Sequence, residues 1–212
     1  MTEAGLGAGS DGAGGFALEA LGAGARGVPP RPMSLHDFCW SVREALQMDV
    51  SVVGELLSSC RPSVDALRPW IDFDPRGYSR RCLYRDEAFE LLLLCWNQGQ
   101  ATPVHDHDGE AGWMTVLEGT LVVEEYERYG GPIDLCELRS EAPTPPGSVV
   151  VLPRRRLTLS AGSVVAEAAA PETIHRVRAA DGRAVSLHLY VGPLDSFLVF
   201  DPERGTARRV RP

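Results

Sequence analysis

Two histidines set two apart, His105 and His107, are the first residues of this chain with a chemistry of their own. On a strand, residues i and i+2 leave the same face, so both imidazoles point one way while Asp106 points the other. Two imidazoles on one face can chelate a single ion. A third, His175, follows Pro171 and opens a short apolar run, where a neighbouring strand of a closed sheet would set it beside the first two. The pair alone says little, since a strand histidine is usually a satisfied core or surface residue and the spacing also arises by chance. Its frame says more. Gly99 stands six residues before His105, and Gly119 precedes a strand-like run from Thr120 to Glu125.

Such a site needs strands that bring distant residues together, and the chain supplies them. After Gly77 come short apolar or alternating runs at Cys82 to Tyr84, Phe89 to Trp96, Trp113 to Tyr126, Ser148 to Leu152, Ser163 to Ala166, His175 to Val177 and Val185 to Leu189. Turn signals such as Asn97-Gln98-Gly99, Gly130-Gly131-Pro132 and Asp181-Gly182 separate them. Many short strands at close spacing predict a mainly β fold, a double-sheet barrel or jelly roll. Helices precede it, over about 34–70. Ser34 followed by Asp37 can cap the first, in which Leu35, Phe38, Val42, Ala45 and Leu46 recur at helical spacing. Leu56 to Leu57 and Val64 to Trp70 read as further short helices punctuated by Pro62 and Pro69. Residues 1–32 carry nine glycines and end in Pro29-Pro30-Arg31-Pro32, which predicts a flexible tail ahead of one domain over 33–212.

Composition removes several classes of partner. The formal charge of -8 leaves no basic surplus to neutralise phosphates, so nucleic acid is not expected and a small molecule is. Cys39, Cys60, Cys82, Cys95 and Cys136 are odd in number, widely spaced and contain no CxxC, against both a disulfide framework and a cysteine zinc site. That usage fits a reducing, cytoplasmic setting. The longest apolar run, Leu91 to Trp96, is too short to span a bilayer, and no membrane association is expected.

The segment Gly99-x5-His105-x-His107, with the later Gly119, resembles the first motif of the cupins. Cupins usually place a glutamate ligand a few residues after the second histidine. Here that position is Gly112, and Glu110 falls out of register. The expected site is therefore three histidines without a carboxylate, which leaves the ion's double positive charge uncompensated by protein and keeps positions free for an anionic substrate and O2.

Together with Leu94-Cys95-Trp96, Leu117-Glu118-Gly119 and the strand Val185-Ser186-Leu187-His188-Leu189-Tyr190, this pattern is similar to the thiol dioxygenases, and most to the cysteine dioxygenase family, over roughly Tyr78 to Asp201. The resemblance implies Fe(II) on His105, His107 and His175. It implies a catalytic relay in which Ser186 and His188, alternating on one strand face with Tyr190, orient the Tyr190 hydroxyl toward substrate and oxygen. Tyr78-Ser79-Arg80 occupies the place of the tyrosine and arginine that hold the substrate carboxylate, a task suited to the planar guanidinium fork. Arg81 is adjacent, so the register can slip by one. Animal members crosslink a cysteine to the tyrosine matched by Tyr190. That cysteine's position is also Gly112, so no thioether is expected.

The resemblance implies oxidation of L-cysteine by O2 to cysteine sulfinate, by a monomer. Arginine at position 80 favours cysteine, whereas relatives that prefer 3-mercaptopropionate often carry glutamine there. The alternatives are 3-mercaptopropionate or mercaptosuccinate as substrate, and, more distantly, a metal cupin that isomerises or only binds its ligand.

Overall fold

The run Phe89–Trp96 is buried at every residue, so both of its faces must be covered. The computed structural model describes residues 18–21, 30–129, 138, 141–169 and 173–211, and shows what covers them. In chain order the elements are β1 (Leu18–Leu21), β2 (Arg31–Met33), α1 (Leu35–Met48), α2 (Val52–Ser59), β3 (Cys60–Pro62), α3 (Val64–Leu67) with a further turn at Arg68–Trp70, β4 (Ser79–Arg85), β5 (Phe89–Trp96), β6 (Val104–His105), β7 (Gly112–Glu118), β8 (Thr120–Arg128), β9 (Val151–Ser160), β10 (Val164–Glu167), β11 (Ile174–Ala179), β12 (Ala184–Val191), β13 (Phe197–Asp201) and β14 (Thr206–Val210).

Two six-stranded sheets form, in the orders β1-β10-β7-β12-β5-β4 and β14-β13-β6-β11-β8-β9, while β2 and β3 make a small parallel pair. From β5 to β13 the chain passes repeatedly between the two large sheets, which is the expected cupin-type double-sheet barrel. The helices lie on the outer face of the first sheet. There Phe38, Val42, Val53, Leu57 and Leu67 pack with Leu91, Leu93, Cys95, Leu187 and Leu189. The alternate residues Leu92, Leu94 and Trp96 point into the barrel, against Leu121 and Val123 of β8 and Val177 of β11. A strand buried on both faces loses the polar alternation of a half-exposed one, which is why β5 reads as a continuous apolar run.

Local chemistry sets the boundaries. The Ser34 hydroxyl accepts from the Asp37 backbone N–H and caps α1, and Ser63 caps α3 in the same way through Ala66. Gly119 turns β7 into β8 with φ of 78°, and a Cβ there would lie 2.2 Å from the Arg183 carbonyl oxygen, so only glycine fits. No helix among the described residues is long and apolar enough to cross a membrane.

Three expectations are corrected. Within the segment expected to be a flexible tail, Leu18–Leu21 is a strand that pairs with β10, and Arg31–Met33 pairs with β3. The open edge of β10 offers unpaired backbone groups, and Leu21 adds its side chain to the helix-covered core. Residues 1–17 and 22–29 lie outside the described residues. The strand expected at Ser148 to Leu152 runs instead from Val151 to Ser160. It is an edge strand with β8 as its one partner, so it tolerates Pro153 and an outward row of arginines that hide its period. Finally, the strand carrying the histidine pair stops at His105. Asp106 takes over from the ladder: its N–H donates to the Leu198 carbonyl, and its Oδ1 accepts from the Leu198 N–H at 2.8 Å. His107 still turns to the same side as His105, because Asp106 is tied to β13 on the other.

Candidate metal centre

β11 pairs with β6 such that His175 stands directly opposite His105. This register brings the third histidine to the first two. One ring nitrogen from each of His105, His107 and His175 lies within 4.8 Å of the other two, and all three side chains are buried. The ring planes are steeply inclined, with centroids 4.7 Å apart for His105 and His175 and 4.9 Å for His107 and His175. Such rings aim nitrogens at a common point instead of stacking.

Burial decides their protonation. Removal from water lowers the His105 pKa to about 4 and that of His107 to about 3, and holds His175 well below the usual imidazole value. Mutual repulsion among the rings adds to this at His105 and His175. All three are neutral near pH 7, with lone pairs free to bind a cation. His105 Nδ1 lies 3.0 Å from the Pro103 carbonyl, which leaves Nε2 for the common point. His175 Nδ1 is buried without a hydrogen-bond partner. Three neutral, convergent imidazoles with nitrogen donors to spare fit a divalent first-row transition metal.

The opposite wall of the cavity belongs to the first sheet. β12 presents Ser186, His188 and Tyr190 inward, and they are connected. Ser186 Oγ lies 2.9 Å from His188 Nε2, and the Tyr190 hydroxyl lies 3.4 Å from His188 Nδ1 and 3.4 Å from His107 Nε2. Sequence reasoning missed the anchor of this row: Trp96 Nε1 donates to Ser186 Oγ at 3.0 Å. An indole N–H can only donate, so Ser186 Oγ accepts from it and keeps its own proton available for His188 Nε2, an arrangement that goes with the imidazole proton on Nδ1, facing Tyr190. Burial keeps His188 neutral, with a pKa of about 3, and pushes the Tyr190 hydroxyl well above its ordinary value. Tyr190 is thus a protonated donor.

Arg80 and Tyr78 also line this cavity, of about 180 Å³, and Arg81 does not, although both arginines reach solvent. The residues expected at the site therefore lie together around one cavity. Arg80 donates to the buried Glu90 carboxylate at 2.9 Å, and the Tyr78 ring stacks on Trp96 at 4.6 Å. Leu92, Leu94, Leu194 and Phe197 make the rest of the lining largely apolar.

One expectation about charge is corrected. No carboxylate belongs to the three-nitrogen cluster, yet one is close: Glu167 of β10, its side chain 1% exposed, sets Oε2 3.0 Å from His107 Nδ1. Burial raises its pKa, and attraction to His175 and His105 opposes that. Sequence reasoning missed Glu167. Its one visible signal is an acid in the otherwise small and apolar stretch Val164 to Ala169. Gly112, where a carboxylate or a crosslinking cysteine was looked for, adjoins Tyr190 so closely that a Cβ would meet its ring at 2.8 Å. Cys39, Cys60, Cys82 and Cys95 are free, and Cys136 lies outside the described residues.

The chain is 25% identical over 187 residues to cysteine dioxygenase type 1 of Danio rerio, covering 85% of this chain and 86% of that protein. It is 22% identical over 184 residues to cysteine dioxygenase type 1 of Rattus norvegicus, covering 85% of each. A cupin 2 domain-containing protein from Halorhodospira halophila superposes with a TM-score of 0.42 at 16% identity, over 62% of this chain and 75% of that one. The family described as cysteine dioxygenase type I matches residues 23–203. That span takes in β2 through β13 and every residue of the site, and on it the chain belongs to the cysteine dioxygenase type I family.

Proposed function

We propose that this protein is a non-haem Fe(II) thiol dioxygenase that oxidises L-cysteine with O2 to cysteine sulfinate, both oxygen atoms ending on sulfur. One observation carries the reading: three neutral imidazoles, a guanidinium and a protonated tyrosine face a single small cavity. At about 180 Å³ the cavity is below the 300–1,000 Å³ typical of sites for drug-sized ligands, and it suits an amino-acid-sized thiol.

Fe(II) held by His105, His107 and His175 would supply open positions for a thiolate and O2 and the redox chemistry that joins them. The protein's own contribution is positioning. Arg80, anchored through Glu90, keeps guanidinium donors toward the cavity and would hold the substrate carboxylate. The Tyr78 hydroxyl, kept protonated by burial, is a second donor for the same group. The Trp96–Ser186–His188 row fixes the imidazole so that Tyr190 receives a hydrogen bond from Nδ1 and turns its own proton to the substrate side. Leu92, Leu94 and Phe197 exclude water, which strengthens each polar contact made inside. All three candidate thiols carry a carboxylate that Arg80 could hold, and cysteine is placed ahead of 3-mercaptopropionate and mercaptosuccinate on the family resemblance, in which arginine at this position goes with cysteine.

The test is O2 uptake by iron-loaded protein with the three thiols, with the product identified by mass. Cysteine should consume one O2 per thiol and gain two oxygen atoms. Absence of uptake with every thiol would overturn the reading, while a higher kcat/KM for another thiol would replace the substrate and keep the reaction.

A further inference from the structure

Three residues stand side by side across the first sheet. Glu167 of β10 pairs with Gly112 of β7, and Gly112 pairs with Tyr190 of β12. The middle residue has no side chain, so the space above it is shared by its neighbours. A Cβ built on Gly112 would lie 2.8 Å from Tyr190 Cδ1 and 3.0 Å from Glu167 Oε2. The glycine is therefore what admits the carboxyl group. From there Glu167 reaches His107, which belongs to the segment following β6 of the other sheet, and sets Oε2 3.0 Å from Nδ1. Both atoms are fully buried, and neither makes a well-aligned hydrogen bond to any described group. The two atoms are in contact, in an approach that lies off the line of the ring N–H.

A buried carboxyl group with so little satisfaction is costly, and a small apolar residue at 167 would avoid the cost. Its position answers the problem left by Gly112. A ligand carboxylate would occupy a coordination position, whereas a carboxyl group behind an imidazole acts through the ring. Where it accepts the other ring N–H it fixes the ring's orientation and raises the basicity of the far nitrogen, and at 3.0 Å from Nδ1 the Glu167 Oε2 is within reach of that bond. Here the far nitrogen is Nε2, which faces Tyr190 and the cavity. His105 has a carbonyl in this role, at Pro103, so His107 is the ligand that takes the acid.

We propose that Glu167 is a positioning residue for the metal centre: it sits in the space opened by Gly112, orients His107 with Nε2 toward the ion, and supplies from behind the imidazole the carboxylate that the three-histidine ligand set lacks. This rests on the reading of His105, His107 and His175 as metal ligands, and not on the identity of the thiol. It makes Gly112 and Glu167 a coupled pair, because any side chain at 112 must displace the carboxyl group.

The experiment measures Co(II) affinity by competition with a chromogenic chelator under anaerobic conditions, together with the Co(II) visible spectrum and the melting temperature of the metal-free protein. Wild type is compared with Glu167→Gln, Glu167→Asp and Gly112→Ala. Glu167→Gln should weaken Co(II) by about 10–100-fold and change its spectrum, while the melting temperature of the metal-free protein holds or rises because a poorly satisfied acid has gone. Glu167→Asp should recover part of the affinity. Gly112→Ala should lose affinity although it removes no charge. Affinity and spectrum of Glu167→Gln equal to wild type would overturn the proposal, as would a fall in metal-free melting temperature with affinity unchanged, which marks a purely structural residue. Wild type that binds Co(II) but, loaded with iron, consumes no O2 with any thiol would overturn the proposed function and leave this result standing. Wild type that binds no metal would overturn both.

Discussion

Arg80 is held from behind and open in front. Its Nη2 donates to Glu90, whose other oxygen lies 3.2 Å from Arg85, and Arg85 is braced in turn by Asp195 at 2.6 Å. Glu90 is almost completely buried and opposite Tyr190 in the β5–β12 register, so this chain of charges fixes the guanidinium against the cavity wall. Preorganisation of that kind lowers the cost of ordering a side chain when ligand arrives. Arg80→Ala should therefore lower kcat/KM for cysteine by about 10–150-fold, the range expected for losing a hydrogen bond to a charged group worth ~1.5–3 kcal/mol. Arg80→Lys should recover little of it, because a point charge does not reproduce the fork. Cysteamine, which is cysteine without the carboxylate, provides the control: wild type should discriminate strongly against it, and Arg80→Ala should treat the two thiols nearly alike. Discrimination unchanged in Arg80→Ala would remove the arginine from substrate binding.

Strands carry the division of labour, and β5 shows it in two adjacent residues. Leu93 is fully buried against the helices on one face, and Leu94 lines the cavity on the other. Leu93→Ala should cost about 2–5 kcal/mol of stability in urea unfolding, with KM for the thiol unchanged in the folded protein. Leu94→Ala should also destabilise, and in addition raise KM by enlarging the cavity; equal effects of both on KM would contradict the assigned faces. This period of two is also what made much of the site legible. His105 and His107, and likewise Ser186, His188 and Tyr190, announce a shared face by spacing alone. β13 and β14 were not legible, and the strand expected to carry both histidines was legible only in part. β6 is only two residues long and is continued by the side chain of Asp106 bonding to the backbone of Leu198, a contact between residues 92 apart in sequence. Glu167 was hidden for a related reason. Its role depends on the neighbour across the sheet having no side chain, a property of the β10–β7 register and not of any local pattern.

At the scale of the molecule, the site lies between two sheets with different tasks. The metal-binding wall, His105, His107 and His175, belongs to the second sheet or to the segment that continues β6. The opposite wall, Arg80, Ser186, His188 and Tyr190, belongs to the first. The two walls meet directly where Tyr190 and Glu167 approach His107. A metal ion on the histidines ties the end of β6 to β11, across a chain separation that otherwise depends on a few ladder bonds. Binding to the folded state alone must then raise stability by mass action. At a free metal concentration 100 times Kd the gain is about 2.7 kcal/mol. For a chain of this length that corresponds to a rise in Tm of about 5–11 °C, measurable by thermal unfolding with and without metal and reversed by chelator. His175→Ala separates this cross-link from nonspecific effects of divalent ions. It removes the ligand on β11, leaves His105 and His107 in place, and should abolish the metal-dependent rise while the metal-free Tm moves little. A metal-dependent rise that survives His175→Ala would place the ion elsewhere in the barrel, because two histidines on one segment cannot tie β6 to β11.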